Sequence, residues 1–306
     1  FGNGMESIYT ADFDGDGDPD VLTASRFLSS EKIAWYENWG GGHFGGPEQV
    51  ISTATDGLEG IYATDLDGDG DVDVLSASSI DDRVAWYENL GGGVFGPQVV
   101  ISNAANGANS VFAADLDRDG DVDVLSALRS DHTVAWYENL GGGAFGLQQI
   151  ISDVAYQAES VFTADFDGDG DEDVLSTGVG PGNTAWYENL GGGVFGPQRA
   201  ISTTLDSSKD AYATDLDGDG DVDVATVSNT PGSRVSWFEN LGGGTFGPQQ
   251  AINDEVYFPV RVYAADLDGD GDAEVLSASV WDTKLAWYEN LIGVDCNSNG
   301  IADAVE

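Results

Sequence analysis

In the stretch DLDGDGDVD, Asp65 to Asp73, every second residue is an aspartate and glycine fills two of the gaps. Side-chain oxygens at positions one, three, five and nine, a backbone carbonyl at seven and a glycine at six make the first part of an oxygen-only cation loop. Six stretches follow this pattern. The first three hold Asp12, Asp14, Asp16, Asp18 and Asp20; then Asp65, Asp67, Asp69, Asp71 and Asp73; then Asp115, Asp117, Asp119, Asp121 and Asp123. The others hold Asp165, Asp167, Asp169, Asp171 and Asp173; then Asp215, Asp217, Asp219, Asp221 and Asp223; then Asp266, Asp268, Asp270, Asp272 and Glu274. The sixth departs by its Glu at position nine, and the third by Arg118 at position four, where the others have glycine.

Hard oxygen donors suit Ca²⁺ over Zn²⁺ or copper, and Mg²⁺ demands stricter geometry and more water. Two carboxylates about 4 Å apart repel by about 4 kcal/mol at an effective dielectric near 20. An empty loop is therefore strained, and a divalent ion relieves it. Five acids in each of six loops account for 30 of the 55 acidic residues, and six Ca²⁺ would move the formal charge from −45 to −33. Six near-identical, saturated sites single out no open coordination position, so the expected role of the ions is to staple the chain rather than to catalyse. Such loops work at extracellular calcium levels, so the expected location is outside the cell or on its surface. The tail repeats the pattern with Asp295, Asn297, Asn299, Ile301 at position seven and Asp303. Two amides replace carboxylates there, which predicts a weaker seventh Ca²⁺ site or the start of a truncated further repeat.

Composition sets outer limits. The chain has 306 residues with 55 acidic against 10 basic side chains, a balance that argues against nucleic acid and against anionic membranes as partners. Eight Trp, 11 Tyr and 13 Phe are too many for a solvated acidic tail, so the charge must be organised around a core. One cysteine, Cys296, excludes an internal disulfide framework. No apolar run approaches the ~20 residues of a membrane span, so no membrane insertion is expected. No secretory leader opens the sequence, and Phe1 is read as following a processed or omitted segment.

The elements that carry the loops repeat with them. The acidic phrases begin 53, 50, 50, 50 and 51 residues apart. Each is followed by AWYEN or a close variant, with its tryptophan at Trp35, Trp86, Trp136, Trp186, Trp237 and Trp287. A third phrase, NLGGGxFGPQ with variations, follows at Phe44, Phe95, Phe145, Phe195 and Phe246. Within one unit four strands are predicted: Gly60 to Asp65, Asp73 to Ser78, Arg83 to Leu90 and Val94 to Ser102. Four short antiparallel strands per ~50 residues with glycine-rich turns are the signature of a propeller blade. Alternation puts Trp86 and Tyr87 on opposite faces, each against a neighbouring blade. The Glu and Asn that follow, such as Glu88 and Asn89, are expected to fix the glycine turn.

These phrases, ADLDGDGDVDVLSAS, AWYENLGGG and FGPQ, resemble the FG-GAP/VCBS repeat family, whose fold is similar to the calcium-binding β-propeller of integrin α chains. The expected fold is an all-β propeller of six four-stranded blades, with a calcium loop between the first and second strand of each. Residues 1–294 form the propeller and 295–306 the tail, which leaves a count of seven blades open. The resemblance implies adhesion or carbohydrate binding, so the leading expectation is a non-catalytic interaction module for a glycan or an extracellular protein. A structural subunit of an extracellular filament or matrix is the alternative. A polysaccharide lyase is the third reading, since some lyases resemble this architecture.

Divergence between copies places the expected ligand. Calcium loops and Gly-Gly-Gly turns share one rim. The opposite rim carries the variable hairpins and the linkers between blades, with the aromatics Phe27, Tyr156, Tyr257, Phe258 and Trp281. His43 and His132 occupy non-equivalent places and read as surface residues. Only eight residues separate Phe1 from Tyr9, against 17 or 18 elsewhere, and no FG phrase follows the sixth WYENL. An incomplete edge blade would expose unpaired strand groups and invite another copy of the chain.

Overall fold

The computed structural model describes residues 4–26, 31–205, 207–229 and 232–290. Phe27 and the tail positions Asp295, Asn297, Asn299, Ile301 and Asp303 lie outside the described residues. The regular structure of the described residues is entirely β, in six antiparallel meanders. The first sheet takes β1 (Gly4–Ala11), β2 (Asp20–Arg26), β3 (Lys32–Tyr36) and β4 (Gln49–Ser52). The second takes β5 (Leu58–Thr64), β6 (Asp73–Ser78), β7 (Arg83–Tyr87) and β8 (Val99–Ser102). The third takes β9 (Ala108–Ala114), β10 (Asp123–Leu128), β11 (Thr133–Tyr137) and β12 (Gln149–Ser152). The fourth takes β13 (Val161–Ala164), β14 (Asp173–Ser176), β15 (Thr184–Tyr187) and β16 (Arg199–Ser202). The fifth takes β17 (Ser208–Thr214), β18 (Asp223–Ser228), β19 (Arg234–Phe238) and β20 (Gln250–Asn253). The sixth has three strands among the described residues, β21 (Pro259–Ala265), β22 (Glu274–Ser279) and β23 (Lys284–Tyr288). Two compact units, Phe1–Val161 and Phe162–Glu306, divide the chain.

The second strand of each blade explains its own composition. Every residue of β6, DVLSAS, is buried, because both of its edges are paired and both faces of its sheet are covered. Small Ser and Ala alternate with Val and Leu there, which lets adjacent sheets approach. The fourth strand, β8, faces outward with Val99 and Val100 exposed. Sequence pattern placed its start at Val94, yet only an isolated bridge, Asn89 to Phe95, forms before Val99. The backbone is occupied otherwise in that interval: Leu90 N donates to Val94 O at 2.8 Å and Gly96 N to Glu88 O at 2.7 Å. Pro97 then has no N–H to give a ladder. The third strand ends at Tyr87 for the same reason.

Burial between blades follows the predicted opposition of Trp and Tyr. In the first unit Trp86 packs with Val111, Ala113 and Tyr137 of the third blade, while Tyr87 packs with Phe13, Leu22 and Trp35 of the first. In the second unit Trp186 joins Ala211, Ala213 and Phe238 in the same manner. First strands lie side by side, and their aromatics form a ladder. Tyr9, Tyr62 and Phe112 have ring centroids 4.9 and 4.5 Å apart, and Phe162, Tyr212 and Tyr263 repeat this at 4.9 and 4.6 Å.

The third glycine of the turns ending at Gly93, Gly143 and Gly244 has a steric reason that sequence did not show. A Cβ on Gly143 would lie 2.6 Å from the Trp86 ring, and one on Gly244 would lie 2.2 Å from Trp186. The indole of one blade therefore seats on bare backbone of the next. Gly142, with φ 62°, has nothing within 4 Å of its Cβ position, whereas Gly143, with φ 69°, has the same conformation and no room. Alanine at Gly142 should cost about 1–2 kcal/mol through the left-handed backbone alone. Alanine at Gly143 should add about 1–3 kcal/mol of overpacking. Urea denaturation of the two variants checks this: equal midpoints would show that the Trp86 seat contributes nothing.

Candidate metal centres

Each acidic loop joins the first and second strands of its blade, and its shape is set by its own carboxylates. Asp65 at position one accepts from Gly68 N at 2.8 Å and from Gly70 N at 2.9 Å. Asp67 Oδ1 accepts from Asp69 N at 3.2 Å, and Asp69 Oδ1 from Asp71 N at 2.9 Å. Asp73, at position nine, is fully buried and accepts two backbone N–H groups, Leu66 N at 3.0 Å and Asn89 N at 2.7 Å. In the third loop Arg118 takes the left-handed conformation of its glycine counterparts, with φ 63°. A long side chain held there shows how strongly the surrounding bonds dictate the turn.

This folding gathers positions one, three and nine. One carboxylate oxygen from each of Asp12, Asp14 and Asp20 lies within 4.8 Å of the other two. The same holds for Asp65, Asp67 and Asp73, for Asp115, Asp117 and Asp123, for Asp165, Asp167 and Asp173, and for Asp215, Asp217 and Asp223. Position five is exposed at Asp69 and is not one of the gathered three. The side chain at position seven turns to the neighbouring glycine turn: Asp71 Oδ2 is 3.4 Å from where a Gly91 Cβ would stand. In the sixth loop Glu274 Oε2 accepts from Leu267 N at 2.7 Å, while Oε1 is buried without a hydrogen-bond partner among the described residues. Asp115 Oδ1 is likewise buried without one.

The electrostatics of these triads call for a cation. Carboxylates 4.8 Å apart repel by about 3.5 kcal/mol per pair at an effective dielectric near 20. Burial, opposed by the two backbone N–H bonds and reinforced by Asp67 and Asp69, pushes the Asp73 carboxyl up to about 7. Asp123 and Asp173 are also pushed up to about 7 and Asp223 to about 6, from the same causes. Asp67, Asp117, Asp167 and Asp217 are raised as well, burial first and the adjacent carboxylates with it. Acceptor-only oxygens, no nitrogen or sulfur, and buried oxygens lacking donors all fit a divalent metal ion.

The asparagine of WYEN does more than hold the turn. Asn89 Oδ1 accepts from Gly91 N at 3.2 Å, as a turn-fixing residue should. Its Nδ2 donates to Val72 O in its own loop at 3.1 Å and to Phe13 O in the loop of the preceding blade at 2.9 Å. Asn139 repeats this on Val122 O at 3.0 Å and Leu66 O at 2.7 Å, and Asn240 and Asn290 do so in the second unit. Phe13 and Leu66 are the residues whose own N–H groups bind the position-nine carboxylates Asp20 and Asp73. Each acidic loop is thereby tied to the next blade through the backbone N–H and C=O of one residue. Recurrence at a 50-residue period was the only trace of this in sequence.

On the opposite side of the blades, Phe258 stacks on Trp281 with centroids 4.8 Å apart and planes 7° from parallel. Trp281 is 74% exposed and Tyr257 63% exposed. Tyr156 is also exposed and lies on His132 at 4.4 Å. His132 is half-buried, and its Nδ1 accepts from Gln157 N at 3.1 Å, while His43 is exposed.

Removing one latch should be costly. Asn139→Ala leaves the Leu66 and Val122 carbonyls without their donor, so a loss of about 2–4 kcal/mol is expected. Chemical denaturation measures it, and a loss under about 1 kcal/mol would place those carbonyls in water.

The model of the FG-GAP-like repeat matches five overlapping segments, 12–76, 65–126, 115–176, 165–226 and 215–277. No curated protein matches the chain in sequence. Among solved structures, an Agrocybe aegerita lectin that recognises non-reducing terminal N-acetylglucosamine is similar in fold, with a TM-score of 0.64 at 22% identity over 89% of this chain and 74% of that one. The V. cholerae biofilm matrix protein Bap1 matches at a TM-score of 0.49 and 19% identity over 79% of this chain and 38% of that one. The architecture is thus an all-β propeller of six blades, and with matches running from residue 12 to residue 277 the chain belongs to the FG-GAP-like repeat family.

Proposed function

We propose that this chain is an extracellular, calcium-stapled binding module for carbohydrate, without catalytic activity. The acidic loops support the calcium part. All gathered donors are carboxylate oxygens, which Ca²⁺ prefers and can bind in flexible geometry. The residues that would hold the ions are the gathered triads, completed by the position-five aspartates and the position-seven carbonyls. The tail set of Asp295, Asn297, Asn299, Ile301 and Asp303 would add a seventh, weaker site. When bound, Ca²⁺ supplies positive charge and a fixed geometry to each loop.

The observation that carries the ligand reading is the stacked pair Phe258 and Trp281. Exposed aromatic rings with a few convergent polar groups are the usual lining of a small-molecule site. Phe258 holds φ 58°, a backbone conformation that a bulky residue adopts at a cost. Its N–H is bound by Ser233 Oγ at 3.3 Å and its carbonyl by Val280 N at 3.1 Å. Beside it, Asp282 Oδ1 is buried with no hydrogen-bond partner among the described residues, and Lys284 lies 3.3 Å from Oδ2. A flat apolar platform suits the C–H face of a pyranose, and Lys284, three residues after Trp281, carries an exposed ammonium donor. Tyr156 offers a further contact in the first unit. The N-acetylglucosamine specificity of the lectin of similar fold makes sugars ending in that residue the first probes.

A glycan array tests the ligand. Binding to a reproducible set of sugars is expected, with Trp281→Ala and Tyr257→Ala each weakening it at least tenfold, about 1.4 kcal/mol. Turnover of any polysaccharide would refute the non-catalytic reading.

Chelation tests the staple. At free Ca²⁺ ten times Kd each site adds about 1.4 kcal/mol, and six independent sites about 8. A large fall in melting temperature on chelation is therefore expected, and an unchanged one would end the calcium reading. Asp73, Asp123 and Asp173 have folded-state values near 7 in the ion-free chain, above the unfolded value near 3.9. The folded chain then binds more protons between those limits. Chelated protein should gain stability as pH falls from about 7 towards 4, while Ca²⁺ protection weakens over the same range. Melting curves with and without Ca²⁺ check both signs.

A further inference from the structure

Hairpins of the variable rim are latched to the linkers that follow them, each through the residue just before the third strand. In the second blade Asp82 Oδ1 accepts from Gly107 N at 2.9 Å, and in the fifth Ser233 Oγ accepts from Phe258 N at 3.3 Å. In the third blade the acceptor at the equivalent place is an imidazole: His132 Nδ1 accepts from Gln157 N at 3.1 Å. His132 therefore stands neutral, with its proton on Nε2. Its ring also carries the Tyr156 ring, with centroids 4.4 Å apart. His132, Tyr156 and Gln157 all belong to the first unit, so the latch needs nothing from the second.

The two residues that form this latch are both held in left-handed backbone, His132 at φ 60° and Gln157 at φ 48°. Glycine fills the place of Gln157 in the linkers before the second and third blades, Gly57 at φ 76° and Gly107 at φ 66°. A glutamine there persists in that conformation only while its surroundings hold it. On the imidazole's own hairpin Arg129 pairs with Glu159 at 3.5 Å, and Asp131 takes Asn106 Nδ2 on both oxygens at 2.9 Å. Asp82, one linker back, is bound to Gly107 N. In the linker itself Glu159 is buried and Asp153 is exposed. The following hairpin, 177–183, has no titratable side chain.

We propose that protonation of His132 opens this latch and frees the linker 153–157, so that acid reshapes this stretch of the variable rim. A histidine ordinarily changes charge between about pH 5 and 8. The imidazolium carries hydrogen on both nitrogens, so no ring flip restores an acceptor, and Nδ1–H would face Gln157 N–H. The bond that holds Gln157 in its left-handed conformation is lost, and Tyr156 loses its fixed seat with it. The Asp82 and Ser233 latches keep an acceptor oxygen whatever their protonation, so the response is local to one linker. The device concerns linker geometry and holds whatever ligand the rim takes.

NMR of the Ca²⁺-saturated chain tests it, helped by there being two histidines in all. Between about pH 7.5 and about pH 5 the His132 imidazole should titrate, and the hydrogen-exchange protection factor of the Gln157 amide should fall about tenfold in step with it. The Gly107 and Phe258 amides serve as references and should change by less than about twofold. His132→Asn keeps an acceptor at every pH and should abolish the step, while His43→Asn should leave it in place. Circular dichroism verifies folding, and His132→Asp replaces His132→Asn should the latter unfold. An imidazole that titrates without loss of Gln157 protection overturns the proposal. So does an imidazole that stays neutral down to about pH 5, a step that survives His132→Asn, or a fall shared equally by the Gly107 and Phe258 amides.

Discussion

A buried carboxylate recurs at the centre of each of these blades. Asp73 has no exposed surface, yet it binds the loop that precedes it through Leu66 N and the start of the glycine turn, just past the third strand, through Asn89 N. Those two bonds fix the acidic loop against the glycine turn. The carbonyl of Leu66 then receives Asn139 from the next blade. A change at the carboxylate is felt in the loop, in the turn and across the boundary between blades. The charge that makes the loop electrostatically costly is the same charge that organises its backbone, so the loop's geometry and its electrostatic cost cannot be adjusted separately.

The two rims answer to different constraints. On the loop rim, Asp, Gly, Asn and Trp are each needed by a partner in the same or the adjacent blade. Arg118 shows the latitude that remains: it keeps the glycine-like φ of 63° and changes only an outward side chain. On the opposite rim a hairpin such as that of Asp81 and Arg83 ties instead to the linkers between blades: Asp81 N donates to Asp56 O at 3.2 Å, and Ala105 N to Asp82 O at 3.0 Å. Phe258 and Trp281 stand on that rim, outside the repeat's own packing. Recognition there can be altered without touching the loops, which is why the binding reading and the calcium reading are physically separable.

Sequence made the periodic part of this plain. The two-residue spacing of aspartates predicted ligand oxygens at positions one, three, five and nine, of which one, three and nine are gathered, and alternation predicted the opposite faces of Trp86 and Tyr87. Its failures lie where a residue's reason sits in another blade. Asn89 looked like a turn residue because its bond to Gly91 is local, while its bond to Phe13 O spans 76 residues. Gly143 looked like one of three interchangeable glycines, because nothing nearby in sequence reveals that Trp86 rests on it. The start of β8 was placed too early because apolar residues at Val94 and Phe95 continue the alternation, although the backbone there is committed to the turn. Asp282 escaped notice because a single hairpin carboxylate among 55 acidic residues carries no signal.

Within each unit the Trp-on-Gly seat reaches forward to the next blade and the Asn latch reaches back to the preceding one, so each seam is closed from both sides. The smallest self-sufficient piece of this architecture is therefore the seam, not the blade, and whole-repeat duplication or loss leaves every remaining seam intact. Small insertions have a different outlet. The span from the first loop aspartate to the tryptophan is longest between Asp12 and Trp35, and the extra residues fall in the stretch RFLSSEK, between the second and third strands. Copy number and hairpin length are thus independent genetic dials, one setting the size of the body and the other the relief of its variable rim.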